Sequence, residues 1–387
     1  MEIVFWILAL TILHSYIFYP LLLRVLVLFA ARTKEQHFSQ QEYPSISIIM
    51  AAHNEENVIG QKIDSIYNTT YPTSKIEVFV GSDCSTDKTN QILAEKAKQY
   101  PSLSYKAFTQ RQGKANIMNQ LLDCTKGDII ISTDANVMLC PTTLEEMVKP
   151  FKDPQIGLVD SQMTNTGIKK EGISTQESQY ITREVGIKHR EGKVWGTMMG
   201  PFGGCFAIRK KCYSKVPTNY FMDDFYINMK VLEQGYKSIN ALDAIVKEDV
   251  SNQIKEEFKR KTRISIGNFQ NLFTFTHLLW PPFTGLAFSF VSHKIIRWFG
   301  PFIIVACWVL ALILIKEHPI YAAIFWALSG SFLVPLFDFL LKKCNIHIIF
   351  VRFVTHFYGM NLALMVGFFK YLKGVNSNVW QPTKRNQ

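Results

Sequence analysis

The sequence predicts an α/β protein: a parallel, doubly wound sheet set between apolar terminal segments. Three observations predict it. Short apolar, mostly β-branched runs alternate with helix-length segments from residue 45 to residue 133, the pattern of strands joined by crossover helices. These runs end in turns carrying Asn54 and Glu55, Asp83, and Asp134. In such a sheet those turns share the edge at the carboxyl ends of the strands, where ligands bind. Finally, apolar residues make up 48% of the 387-residue chain and crowd residues 2–31 and 297–369, leaving an ordinary globular composition between.

Residues 3–31 are apolar apart from His14 and Arg24. The stretch exceeds the ~20 residues that cross a bilayer. It is too long for a signal-peptide core, and no small-residue cleavage site follows it. It predicts a retained anchor, tilted so that Arg24 reaches the interface. Arg32 and Lys34 put its far end in the cytoplasm and Met1 outside.

Residues 45–50 read as a first strand and 51–56 (AAHNEE) as its turn, with Asn54 a cap for a helix over 57–67. Residues 75–82 read as a second strand ending in DCSTDKT, then a helix to Tyr100; residues 104–108 read as a third strand, and Gln112-Gly113-Lys114-Ala115-Asn116 starts another helix. The run GDIIISTDAN at 127–136 reads as a fully buried central strand with an acidic tip. A carboxylate there can hold a divalent metal, which would neutralise a diphosphate; a helix cap accounts for it equally.

Residues 158–197 are polar and less regular. Residues 200–209 (GPFGGCFAIR) join a glycine turn to a short apolar strand; the glycines allow either close ligand approach or a tight packing corner. A helix runs from residue 221 through Glu233, with Gly235 as its C-cap. Asp223 and Asp224 near its start are either dipole-favoured caps or a general base facing a cleft. Residues 241–248 read as an edge strand, and 256–267 as a basic helix with Arg260 and Arg263 on one face. That face is solvated, meets phospholipid, or clamps a phosphate or an acceptor. Residues 269–293, aromatic and containing Pro281-Pro282, read as interfacial amphipathic helices. Residues 298–315, 321–341 and 346–369 are spanning candidates, the last carrying Arg352 and His356. The tail at 380–385 is basic, and the positive-inside tendency favours placing it in the cytoplasm.

The formal net charge is +11, yet no Lys/Arg run is dense enough to mark a nucleic-acid partner. Flanking of membrane segments accounts for the charge. Cysteines at 84, 124, 140, 205, 212, 307 and 344 form no CxxC pair, which predicts reduced thiols in a cytosolic domain, not disulfides or zinc.

Taken in order, AAHNEE, GSDCSTDKT, RQGKANIMN, STDAN, GPFGGCFAIR, MDDF and RKTRI, followed by spans, resemble the membrane-embedded family-two glycosyltransferases. These are the relatives of cellulose, chitin, hyaluronan and poly-N-acetylglucosamine synthases. The resemblance implies a GT-A (Rossmann-like) α/β domain in the cytosol between N-terminal and C-terminal transmembrane helices. It implies a UDP-sugar donor, Mg²⁺ or Mn²⁺, an inverting mechanism, and a multi-pass protein of the inner or plasma membrane. The matching boundaries are an anchor at 1–34, a catalytic domain at 35–267, interfacial helices at 268–296, spans at 297–371 and a basic tail at 372–387.

By the same resemblance Ala51, Asn54, Glu55, Asp83, Lys114, Asp134, Arg260 and Arg263 bind the donor. Asn54 and Glu55 line the nucleoside pocket, Asp83 meets the uracil, and Lys114 approaches the diphosphate. Asp134 and Asn136 hold the metal, and Asp224, preceded by Asp223, is the acceptor-activating base. Two positions depart from the family pattern. The D-x-D is Asp134-Ala135-Asn136, whose amide brings no charge. The Q-x-x-R-W is Arg260-Lys261-Thr262-Arg263-Ile264, lacking the Trp that stacks on an acceptor sugar in processive synthases. Ile264 favours addition of a single sugar to a lipid; the several C-terminal spans favour a growing glycan. With few spans, a pore within one chain is tight, and a second copy or an export partner would widen it. A non-catalytic membrane scaffold that binds sugar nucleotides is the reading from another class. Loss of Asp134 or Asp224 would mark it, and both are present.

Overall fold

The computed structural model describes residues 1–30, 38, 42–166, 174–249, 254–344, 346 and 348–374. The chain divides into two compact units, one of Met1–Val25, Lys169–Thr182 and Asn252–Gly374, the other mainly of Leu26–Ile168 and Arg183–Ser251.

The second unit is built on an eight-stranded sheet: β1 Ile46–Ala52, β2 Ile76–Asp83, β3 Leu103–Phe108, β4 Ile129–Thr133, β5 Met138–Leu139, β6 Ile156–Thr166, β7 Cys205–Arg209 and β8 Lys237–Asp249, in the order β3-β2-β1-β4-β7-β6-β8-β5. The predicted strands before residue 134 are all present, and β1 to β4 are parallel. All five residues of β4 are buried, as covering on both faces requires. Burying each of its three isoleucines stabilises the fold by roughly 1.5–3 kcal/mol. The helices Ile59–Tyr67, Thr89–Gln99 and Lys114–Cys124 link these strands. The last packs so closely on β2 that a Cβ at Gly81 would lie 2.2 Å from Ile117 Cγ2.

Several expectations are corrected. The sheet is mixed, not wholly parallel: β7 is antiparallel to β4 and to β6, and β5 to β8. The reason is local. The glycine turn returns the chain beside the end of β4, where Cys205 pairs with Thr133, so β7 starts at that edge and runs back. The strand predicted at 241–248 is longer (β8) and internal; the edge belongs to two-residue β5. Residues 158–197, expected to be irregular, contain β6 and the 22-residue helix Ser174–Trp195. Its apolar stripe was obscured because Glu184, Lys188 and Glu191 are buried along with Val185 and Ile187. Asn54 does not cap a helix. It has φ +55, and its Oδ1 accepts from Thr86 N at 2.8 Å. Asp134 is not a helix cap either, since the next helix begins only at Thr143; its carbonyl accepts from Val137 N.

In the first unit, the helices Glu2–Phe29, Pro319–Lys343 and Ile349–Leu372 are long and apolar enough to cross a membrane. Gly285–Trp298 and Gly300–Ile313 form a fourth candidate, bent by 65°. The predicted interfacial segment 269–293 is divided between the end of the helix Ile254–Thr274, a short 3-10 turn at Thr276–Leu279 and the start of Gly285–Trp298. The basic helix Ile254–Thr274, whose residues through 267 the sequence assigned to the soluble domain, falls within this unit. It packs on Ile349–Leu372 where Ser265 Oγ donates to Leu364 O at 2.7 Å. Gly367 allows the approach, because a Cβ there would lie 2.3 Å from Ser265 Cβ. Arg352 and His356 are 5% and 8% exposed and so turn toward protein. Arg32, Lys34 and the tail at 380–385 lie outside the described residues.

Candidate active site

The site begins where β1 and β2 end. Their turns are laced together: Asn54 N donates to Ser85 Oγ (3.1 Å), Glu55 N to Thr89 Oγ1 (2.9 Å), and Glu56 N to Asp87 Oδ2 (3.0 Å). Ala51, half-buried, pairs in register with Gly81. Asp83 closes β2 with a side chain that is 0% exposed. Its carboxylate accepts from Arg111 Nε at 3.0 Å, Gln112 N at 2.6 Å and Gly113 N at 3.2 Å. His53 completes this knot, with Nδ1 2.8 Å from Asp83 O and Nε2 2.7 Å from Arg111 Nη1. The carbonyl and the guanidinium fix a neutral tautomer with its proton on Nδ1. Burial, and next the charge of Arg111, lower the pKa of His53. Asp83 therefore acts on residues 111–113, and through Gly113 (φ +80) on the start of the Lys114 helix.

Lys114 is the hub. Its Nζ is 2.9 Å from Asp134 Oδ1 and 3.4 Å from Asp223 Oδ2. Burial opposes its charge, but Asp134, Asp223 and Asp224 outweigh burial and raise its pKa. Asp223 and Asp224 open the helix Asp223–Glu233. Asp224 is 8% exposed and accepts from Phe225 N at 2.8 Å. Burial, then the charge of Asp223, push its carboxyl up to about 6. Gly203 (φ +83) lies against it, where a Cβ would come within 2.5 Å of Asp224 Oδ2. The structure thus brings together Lys114, Asp134, Asp223 and Asp224 from three separate sequence motifs. Arg260 and Arg263 sit in the other compact unit, with Arg260 Nη1 3.4 Å from Glu257 Oε2.

Sequence reasoning missed three groups. Asp160 and Lys188 form a buried pair at 3.9 Å. Phe202 N donates to Asp160 Oδ1 at 3.4 Å, and the Lys188 ammonium sits 3.5 Å from the Phe202 ring centroid. Burial raises the Asp160 carboxyl against the pull of Lys188. The pair therefore holds the 200–204 turn that packs on Asp224. The third group is Lys62, buried beneath the end of β4. The available signal for it was a lysine at position 62 inside the stripe formed by Ile59, Ile63 and Ile66.

Among the described residues, no cluster of three or more His, Cys, Asp or Glu side chains is arranged to hold a metal. Asp134 offers one hard, partly exposed carboxylate, paired here with Lys114. Asn136 directs its amide nitrogen to Glu248 Oε1 at 3.0 Å, which leaves its carbonyl oxygen as the ligand atom. One carboxylate plus substrate phosphates is a normal Mg²⁺ donor set. The residues therefore fit a cation that arrives with a diphosphate.

The fold is that of the GT-A-like glycosyltransferases, here with a mixed sheet. Residues 47–216 match the Glycosyl transferase family 2 model. The chain is 37% identical over 135 residues to a Beta-monoglucosyldiacylglycerol synthase of Nostoc sp. (strain PCC 7120), a match covering 34% of this chain and 29% of that protein. The matched part is thus less than a third of that relative's length. A Poly-beta-1,6-N-acetyl-D-glucosamine synthase of Staphylococcus aureus is 23% identical over 211 residues, covering 53% of this chain and 50% of that one. Among solved structures, the mannosyltransferase PcManGT from Pyrobaculum calidifontis, in complex with GDP-Man and Mn2+, superposes with TM-score 0.70 at 21% identity, over 95% of this chain and 98% of that chain. At that identity the likeness shows the fold.

Proposed function

We propose that the protein is an inverting glycosyltransferase, held in the cell membrane by its apolar helices. In this reading it moves a sugar from a UDP-sugar to a growing glycan or a lipid-linked acceptor at the cytoplasmic face. The observation that carries the proposal is Lys114, whose single ammonium lies 2.9 Å from Asp134 and 3.4 Å from Asp223. A cation so held joins a diphosphate side to an acceptor side within one cluster.

Ala51, Asn54 and Glu55 face the nucleoside. Asp83 acts by holding the 111–113 turn, and Lys114 meets the diphosphate. Asp224, ionised and buried, takes the proton from an acceptor hydroxyl. The acceptor oxygen attacks the anomeric carbon, the bond to the diphosphate breaks, and the electron pair leaves with the diphosphate, so configuration inverts. Asp134 and Asn136 would hold Mg²⁺ or Mn²⁺, which supplies charge stabilisation to the leaving diphosphate. The anchor at 1–34, the interfacial segment at 268–296, the spans at 297–371 and the tail at 372–387 bring the acceptor's lipid or the growing chain to the domain at 35–267.

A second reading, transfer of one sugar to a lipid, is favoured by Ile264, since no aromatic face is offered at the position where processive synthases stack an acceptor. The Nostoc relative, named for a monoglucosylated diacylglycerol, supports it; the Staphylococcus relative supports polymerisation.

The test is a donor screen on the detergent-purified full chain. UDP- and GDP-sugars are supplied with and without Mn²⁺ and lipid, nucleoside diphosphate release is followed, and products are sized by mass spectrometry. Metal-stimulated release from a UDP-sugar is expected. Product ladders identify a polymer, whereas one sugar on lipid identifies single addition. Absence of release from every donor counts against an enzyme and for a non-catalytic sugar-nucleotide scaffold.

A further inference from the structure

Lys62 stands in the apolar stripe of the helix Ile59–Tyr67, and like Ile59, Ile63 and Ile66 it is 0% exposed. It makes no salt bridge among the described residues. Its ammonium donates instead to Thr133 Oγ1 at 2.9 Å and to the carbonyl of Val137. Those acceptors flank Asp134-Ala135-Asn136. The turn is tied on its other side as well: Asp134 N donates to Gly204 O at 2.9 Å, and Thr133 Oγ1 to the same carbonyl at 3.1 Å. One helical turn from Lys62, Ser65 Oγ accepts from Leu139 N at 3.3 Å. The helix therefore grips the segment 133–139 at three points, two of them through a single buried cation.

A buried ammonium without a carboxylate partner is costly, and a methionine would fill the same stripe without that cost. Burial lowers the lysine's pKa to about 8, opposed by the Cys205 thiol and by Asp134. Within the protein its ammonium hydrogen-bonds a hydroxyl and a carbonyl, and the carboxylate that acts on it is that of Asp134 in the turn it holds. What remains is a positive potential directed at the turn of Asp134.

We propose that Lys62 is a positioning residue that fixes the Asp134 turn and supplies a buried positive charge beneath it for the diphosphate of a nucleotide ligand. The proposal rests on the reading of this site as a nucleotide-sugar site. The charge acts at short range in a low-dielectric setting, so it discriminates a phosphorylated ligand from its nucleoside.

The test compares UDP and GDP with uridine and guanosine on the purified full chain, by thermal-shift and calorimetric titration. Lys62→Met, which keeps the stem and removes the charge, is expected to raise the diphosphate Kd about tenfold or more while leaving the nucleoside Kd within about twofold. Thr133→Val, which keeps the charge and removes one of its acceptors, is expected to raise the diphosphate Kd several-fold; it is the arm to read if Lys62→Met does not fold. Equal weakening of diphosphate and nucleoside would reduce Lys62 to a structural residue and overturn the proposal, as would unchanged affinities in both variants. A parent protein that binds neither UDP nor GDP sinks the nucleotide-site reading itself.

Discussion

Asp224 sits where a carboxylate is least comfortable, buried and next to Asp223. Burial, then the charge of Asp223, lift its carboxyl to about 6, above the ordinary aspartate value of 3.8. The sign follows from linkage. The stability this group contributes is fully present below pH ~4 and is lost as pH rises through about 6, so at neutral pH its ionised form burdens the fold. Asp224→Asn removes that burden. The variant is expected to gain roughly 1–3 kcal/mol at pH 7, taking one pKa unit as ~1.4 kcal/mol, with the gain vanishing near pH 4. It should lose about 10²–10⁴ in transfer rate and keep UDP affinity within a few-fold. Thermal midpoints at pH 4 and pH 7, read beside turnover, check this; wild-type turnover in the variant would remove Asp224 from the mechanism. At this scale the sequence was legible where charges end strands. Asp134 follows a strand end, Lys114, Asp223 and Asp224 start helices, and the structure groups them. Asp160, Lys188 and Lys62 were not legible, because a charge inside an apolar stripe shows its partner only once distant segments meet.

Among elements, the glycine turn at 200–204 shows how geometry separates two glycines of similar backbone. Gly203 has φ +83 and Asp224 Oδ2 2.5 Å from a notional Cβ; Gly235 has φ +82 and no atom within 4 Å. Gly235→Ala meets backbone strain alone, of order 1 kcal/mol. Gly203→Ala meets the same strain and also displaces the base. Similar losses of thermal stability are expected, with transfer lost in Gly203→Ala and retained in Gly235→Ala; equal activities in the two would dissociate the turn from the base. Strand existence was readable from β-branched runs. Strand order was not, because nothing local to residues 241–248 reveals that β5 lies outside β8. The helix Ser174–Trp195 was hidden by its own buried charges.

For the whole molecule, composition alone divided the chain into apolar ends and a middle of ordinary globular composition. The helix Ile254–Thr274, basic at its start, packs its later turns on Ile349–Leu372. Side of the membrane is the property to test at this scale. All seven cysteines are free, and Cys124 is exposed in the sheet unit. With the other cysteines replaced, Cys124 is expected to react with an impermeant maleimide in inverted vesicles and not in intact cells. Labelling in intact cells would reverse the proposed topology.

The sheet's two margins have a consequence for handling the protein. One side ends in β5, only two residues long. The other ends in β3, where Ser104, Tyr105 and Lys106 are exposed and the Lys106 ammonium lies 4.8 Å from the Phe108 ring centroid. β5 pairs with β8 only at Val246 and Lys247, and the rest of that margin, the outer side of β8, carries Lys237, Asp243 and Glu248; neither margin therefore offers an uncharged ladder on which a second chain could add a strand. Self-association of the detergent-solubilised protein should therefore start from the apolar helices, and the choice of detergent, not mutation of the sheet, is the lever that keeps it dispersed.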